Sequence, residues 1–210
     1  MNKTNNKIKA ILLLGPTGAG KTPLGMEIEK RGFLNEKAWH FDFGENLRKV
    51  ASGELSFPKE ERLLVQSILK EGRLLKEEEF YLAERVLLSF LINKHYTPDS
   101  WLVLNGLPRN LFQASKLENF AEIKYVIFLK TSPTILKFRL SFDPAGDRKG
   151  RSDDLEKLVE YKLSWFYRET LPLLDYYKEK SSLIHLEVQK SDTGEDLYKK
   201  LCLSINRKNK

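Results

Sequence analysis

Residues 11–22 read Ile-Leu-Leu-Leu-Gly-Pro-Thr-Gly-Ala-Gly-Lys-Thr, an apolar run that passes directly into the pattern G-x-x-x-x-G-K-T. A strand that ends in such a loop and resumes as a helix, here the helix-compatible stretch from Leu24 to Arg31, is a phosphate-cradling P-loop. Gly15, Gly18 and Gly20, with Pro16, Thr17 and Ala19 between them, let the backbone bend until successive N–H groups point inward at an anion. Lys21 reaches the outer phosphates, the Thr22 hydroxyl can ligate Mg²⁺, and the following helix presents its positive end to the same group. This unit restricts the chain to a sheet-and-helix fold with its site beyond the carboxyl end of a strand.

The other strands follow from the same kind of run. Lys9–Leu14, Ala38–Phe43, Trp101–Asn105, Tyr125–Lys130 and Leu183–Val188 are short, β-rich and separated by longer helix-compatible segments. Such alternation implies a parallel sheet with helices on both faces. Runs as continuously apolar as Val126-Ile127-Phe128-Leu129 are those of strands buried on both sides. Ser132-Pro133 and Ser152-Asp153-Asp154 mark helix starts. Two connections exceed a simple crossover: the stretch between Phe43 and Trp101, with at least three helical patterns, and the Gly/Pro-punctuated polar segment from Phe142 to Arg151, which reads as a mobile loop.

The net charge of +7 suggests a nucleic-acid partner until it is located. Residues 1–10 and 199–210 carry +8 with no acid, so residues 11–198 net −1, which is not the footprint of a nucleic-acid-binding domain. The single Cys202 excludes an internal disulfide and a Cys-cluster zinc site, fits a cytoplasmic location, and reads as a small buried hydrophobe. The apolar run after the N-terminal lysines is too short for a signal peptide, and nothing approaches a membrane span. His40, His95 and His185 lack metal-site spacing and read as neutral, packed histidines. Trp39, Trp165, Tyr161, Tyr167, Tyr176 and Tyr177 read as packing aromatics.

The polar residues at the strand ends converge on one crevice: the P-loop after the first run, His40 to Arg48 after the second, and Leu104-Asn-Gly-Leu-Pro-Arg109-x-x-x-Gln113 after the third. With these segments, Arg139-Leu140 and Gly150-Arg-Ser-Asp-Asp154 in that order, residues 10–200 resemble the adenylate kinase family of nucleoside monophosphate kinases. The resemblance implies an α/β P-loop three-layer sandwich whose five-stranded parallel sheet has helices on both faces. Its core would be residues 1–43, 101–139 and 152–206, with a helical monophosphate-binding insertion at 44–75 and a short lid at 140–151. It implies transfer of the γ-phosphoryl group of Mg-ATP to AMP or a related monophosphate by a cytoplasmic monomer that engages neither nucleic acid nor membrane. The loop from Gly15 to Thr22 would hold ATP. Phe43, Gly44, Arg48, Gly106, Arg109 and Gln113 would hold the monophosphate, with Gln113 at the base edge. Lys21, Arg109, Arg139 and Arg151 would act on the transferring group, the last two from the lid. Planar, permanently charged guanidinium groups suit a transition state that spreads charge over equatorial oxygens.

The chain departs from the resemblance at particular positions. Asn105 stands where a metal-organising Asp is usual, Asp143 where a lid arginine is usual, and Lys162 where another arginine is usual on the next helix. Each change weakens phosphate or metal clamping. Asp42, at the end of the second run, is placed to supply the missing carboxylate, so Thr22 and Asp42 are the metal candidates. Asn105→Asp should tighten Mg²⁺ and raise turnover, unless Asp42 already fills the metal role, in which case it should change little. Phe43 replaces a small hydroxyl residue near the base, which bears on AMP specificity. Two alternatives remain: a nucleotide-binding sensor or assembly protein of the same fold with little turnover, and a tRNA prenyl transferase, whose P-loop also begins G-P-T but whose Asp-Ser-rich second motif is absent here.

Overall fold

The structure, a computed structural model, describes residues 7–144, 146 and 156–208. Five strands, β1 (Ile8–Leu14), β2 (Ala38–Asp42), β3 (Trp101–Asn105), β4 (Ala121–Lys130) and β5 (Ser182–Glu187), form one sheet in the order β2-β3-β1-β4-β5. Every neighbouring pair is parallel. The five apolar runs thus become the five strands. β4 begins four residues earlier than its run because Glu122 and Lys124 alternate outward from Ala121 and Ile123.

Successive residues of β1 point to opposite faces of the sheet and feed two separate cores. Ala10, Leu12 and Leu14 join Phe41, Leu102 and Leu104 against α2 (Phe43–Ser52), α3 (Lys59–Glu71), α4 (Phe80–Asn93), α5 (Leu111–Leu117) and α8 (Leu173–Tyr177). Ile11 and Leu13 join Val103, Ile127 and Ile184 against α1 (Lys21–Arg31), α6 (Pro133–Phe142) and α9 (Gly194–Lys208). α7 (Glu156–Trp165) runs into a π-helical turn, Phe166–Thr170.

Local chemistry sets several boundaries. Asp42 ends β2 by capping α2, its side chain accepting from the Glu45 N–H at 2.9 Å, so Phe43 opens the helix and does not extend the strand. Asn110 caps α5 through the Gln113 N–H in the same way. Ser132 caps α6 with Pro133 in its first turn, as the sequence implied. At the far end of α6, Asp143 adopts the left-handed conformation at φ 42°, and its N–H donates to the Arg139 carbonyl. Aspartate tolerates that conformation better than most side chains, which gives position 143 a local reason not to be arginine.

The long connection between β2 and β3 holds α2, α3, α4 and a 3₁₀ turn at Glu77–Glu79, agreeing with at least three helical patterns. Of the segment expected as a lid, residues 140–142 belong to α6, while Arg151 and the helix start Ser152-Asp153-Asp154 lie outside the described residues. Two side-chain expectations need correction. Cys202 is half-buried, His95 is exposed, and His185 is exposed though its ring meets Phe128 edge-on at 5.6 Å; His40 alone of the three is buried. Tyr161 and Tyr167 are partly exposed but pack as helix aromatics, Tyr161 edge-on to Trp165 at 5.8 Å and Tyr167 to Phe166 at 5.3 Å. Among the described residues no helix is long and apolar enough to cross a membrane.

Candidate active site

The strand order reverses direction at β1, and the crevice this opens lies beyond the carboxyl ends of β1 and β3. There the structure has a cavity of about 550 Å³ that the P-loop, Asp42, Asn105, Arg48, Arg109 and Gln113 all line. The parallel registers bring them together, since Leu13 pairs with Asn105 and Asn105 with Asp42.

Gly20 has φ +98°, and a Cβ there would come within 2.9 Å of Leu197 and 3.0 Å of Arg139, so both conformation and space require glycine. Lys21 Nζ donates to the carbonyls of Gly15 at 2.7 Å and Pro16 at 2.8 Å, which folds its ammonium over the loop. Beside it, Thr22 Oγ1 donates to Asp42 Oδ2 at 2.7 Å. Burial opposes ionisation of Asp42, but the hydrogen bonds from Thr22 and the Glu45 N–H outweigh it, and its carboxyl is held below the ordinary carboxylate value. The neighbouring His40 is also held below its ordinary value, its protonated form disfavoured first by burial.

Across the cavity, Arg48 projects from α2 with no hydrogen bond or ion pair among the described residues. Arg109 follows β3, and three groups set its position. Its N–H donates to Gln113 Oε1 at 2.8 Å, its carbonyl accepts from Thr170 Oγ1 at 2.7 Å, and its own Nε donates to the Gly106 carbonyl at 3.1 Å. Gln113 is buried and keeps its NH₂ group without a hydrogen bond among the described residues.

Arg139 lines the same cavity from α6. It is 3% exposed, and its guanidinium donates to the carbonyls of Gly18 at 3.0 Å, Gln189 at 3.0 Å and Asp192 at 2.8 Å. This is a tie between the P-loop and the loop that follows β5. Asp143 and Lys162 both line the cavity.

The sequence reading placed 44–75 at the acceptor side but named none of the residues by which the end of α3 and the loop after it form a wall. Ile68, Leu74 and Leu75 face the cavity, and Arg73 is held by a bidentate pair with Glu79 at 2.7 and 2.8 Å. The detectable signal was Gly72, the left-handed residue that ends α3 and turns the chain toward the crevice. Thr170 was missed as well, since it reaches Arg109 only through the π-helical turn.

No protein-family model matches the chain. Among curated proteins it is similar to an adenylate kinase of Prochlorococcus marinus strain MIT 9211, at 30% identity over 93% of this chain and 94% of that one. The adenylate kinase of strain NATL2A of the same species is 32% identical, over 85% of this chain and 90% of its own length. That of Rickettsia africae strain ESF-5 is 27% identical, over 93% of this chain and 99% of its own length.

Proposed function

Because the chain belongs to the adenylate kinase family, we propose that it transfers the γ-phosphoryl group of ATP to AMP or a related nucleoside monophosphate. The observation that carries this reading is the pairing of two cationic ends across one cavity, Lys21 with the loop amides on one side and Arg48 with Arg109 on the other. Two phosphate-binding ends facing each other suit in-line transfer between two nucleotides, and a single-nucleotide switch has no use for the second.

The Gly15–Thr22 loop, Pro16, Thr17, Ala19 and Gly20 included, donates its amides to the ATP phosphates. Lys21 exchanges its two carbonyl partners for the outer phosphate oxygens. Arg48 and Arg109 grip the acceptor phosphate, and their fixed charge is in place before transfer begins, so little reorganisation is needed. No covalent intermediate is required. Phe43 packs against Phe41, with ring centroids 6.0 Å apart, and with Gly44 and Gly106 gives the acceptor an apolar wall. Gln113, whose oxygen is already engaged by Arg109, offers only its NH₂ donors, which suit acceptor atoms on a base edge such as those of adenine. The helices within 44–75 form the acceptor side of the cavity, and 140–151, with Arg151, the segment that closes over the donor side and excludes water.

A divalent metal fits the donors present. An ionised Asp42 and the Thr22 hydroxyl are hard oxygen ligands 2.7 Å apart on the cavity wall, and Mg²⁺ favours one or two carboxylates with phosphate oxygens and water. When bound with ATP, the ion would neutralise phosphate charge. The reading carries with it a cytoplasmic monomer whose partners are free nucleotides, not nucleic acid or membrane.

A coupled assay with Mg-ATP and each of AMP, CMP, UMP, GMP and dAMP tests the proposal and ranks the acceptors. No turnover with any of them would leave the sensor reading. Within that assay, Arg109→Lys keeps the charge and loses the fork, and kcat/KM for the monophosphate should fall at least about tenfold, or 1.4 kcal/mol. ATP affinity measured alone should not move. An equal loss on the ATP side would put Arg109 in the wrong half of the cavity.

A further inference from the structure

Asn105 ends β3 with 4% of its surface exposed, opposite Asp42 in the β2–β3 register. Its Nδ2 donates to Thr22 Oγ1 at 3.0 Å and to Asp42 Oδ2 at 2.9 Å. Thr22 Oγ1 donates to the same Oδ2. The three atoms close a triangle whose donors converge on one carboxylate oxygen. The amide orientation follows from chemistry, since the reversed group would turn its oxygen toward a carboxylate that can only accept. The amide also faces His40 Nε2 at 3.4 Å. That imidazole is itself wedged under α1, where a Cβ at Gly25 would come within 2.3 Å of it.

We propose that this corner is built for a single carboxylate, carried by β2 and not by β3, and that Asn105 is the positioning residue that aims it. Asp42 Oδ1 is fixed by the α2 cap, and Asn105 with Thr22 fixes Oδ2. The carboxylate therefore cannot rotate without breaking a bond at either oxygen. A second carboxylate at position 105 would set oxygen against oxygen where a 2.9 Å hydrogen bond now stands, and Thr22 has only one proton to offer the two. The expectation that Asn105→Asp improves the site is thereby reversed. Exchanging the two side chains keeps the pattern. D42N still accepts from the Glu45 N–H through its amide oxygen, and its NH₂ group faces the carboxylate brought in by N105D.

The inference rests on the phosphotransfer reading only for its nucleotide measurements, and the first test needs no ligand. Melting of the ligand-free protein at pH 8 should drop by about 3 °C or more in N105D. In D42N/N105D it should return to within about 1 °C of the parent. A melting point for N105D at or above the parent's, or a double variant less stable than N105D, would overturn the proposal. The second test is ATP affinity with Mg²⁺ and with EDTA. N105A removes one of the two donors that aim Oδ2, so the gain in affinity that Mg²⁺ confers should shrink about tenfold while affinity in EDTA stays within about twofold. Equal loss in both conditions would reduce Asn105 to a packing residue and sink the positioning role. A parent inactive toward every monophosphate would count against phosphotransfer and leave the melting comparison standing, so the two failures are distinguishable.

Discussion

Lys21→Ala should abolish measurable transfer, with kcat falling by about 10²–10³-fold, a loss of roughly 3–4 kcal/mol of transition-state stabilisation. The physical reason is the position of the ammonium over the loop, bonded to Gly15 and Pro16 carbonyls that cannot themselves hold it against a phosphate. A charged donor acting in a partly desolvated cavity has far more effect than one in water. The fold should tolerate the change, since Gly15 borders the cavity and its carbonyl can be rehydrated. Steady-state turnover, ATP affinity and thermal melting together check this. A variant that turns over like the parent would remove the P-loop from the chemistry altogether.

Arg139→Met should instead destabilise the protein, by about 3–5 kcal/mol and roughly 10 °C in Tm, because it strands three buried or half-buried carbonyls at Gly18, Gln189 and Asp192. Methionine fills the volume, so the missing donors are the main change. ATP affinity should fall with stability, since Gly18 belongs to the P-loop and loses its anchor. The measurement separates this tie from the lid arginine that the sequence suggested. An arginine acting on the transferring group would leave melting unchanged and lower kcat alone. Arg139→Lys, with one ammonium for several carbonyls, should recover only part of the loss.

The strands were legible because strands covered on both faces need apolar side chains at nearly every position, as from Val126 to Leu129. The P-loop was legible because its glycines and lysine are contiguous. What stayed hidden depends on registers and on distant contacts. That Asn105 lies against Asp42 follows from a parallel pairing of strands 63 positions apart. The cage around Arg139 is assembled from residues up to 121 positions away, and backbone carbonyls leave no residue-type signature. Asp143 looked like a lost cation. In the structure it is a helix end, and only the backbone conformation shows that. Ile68, Leu74 and Leu75 were unreadable as cavity lining because an apolar residue facing a cleft has the same sequence pattern as one facing the core.

Two side chains from elements far apart in the chain hold the Arg109 peptide on both sides, Gln113 at its N–H and Thr170 at its carbonyl. The residue is therefore pre-organised where flexibility would be most harmful. An incoming anion has no backbone torsions left to order, a term of about 1–2 kcal/mol for a residue on an unanchored loop. Only rotamers of the outer side chain remain to be settled, at about 0.5–1.5 kcal/mol. The two anchors thus lower the entropy cost of recognition without touching the ligand, and loosening either would appear as weaker binding with every polar contact to the anion still available.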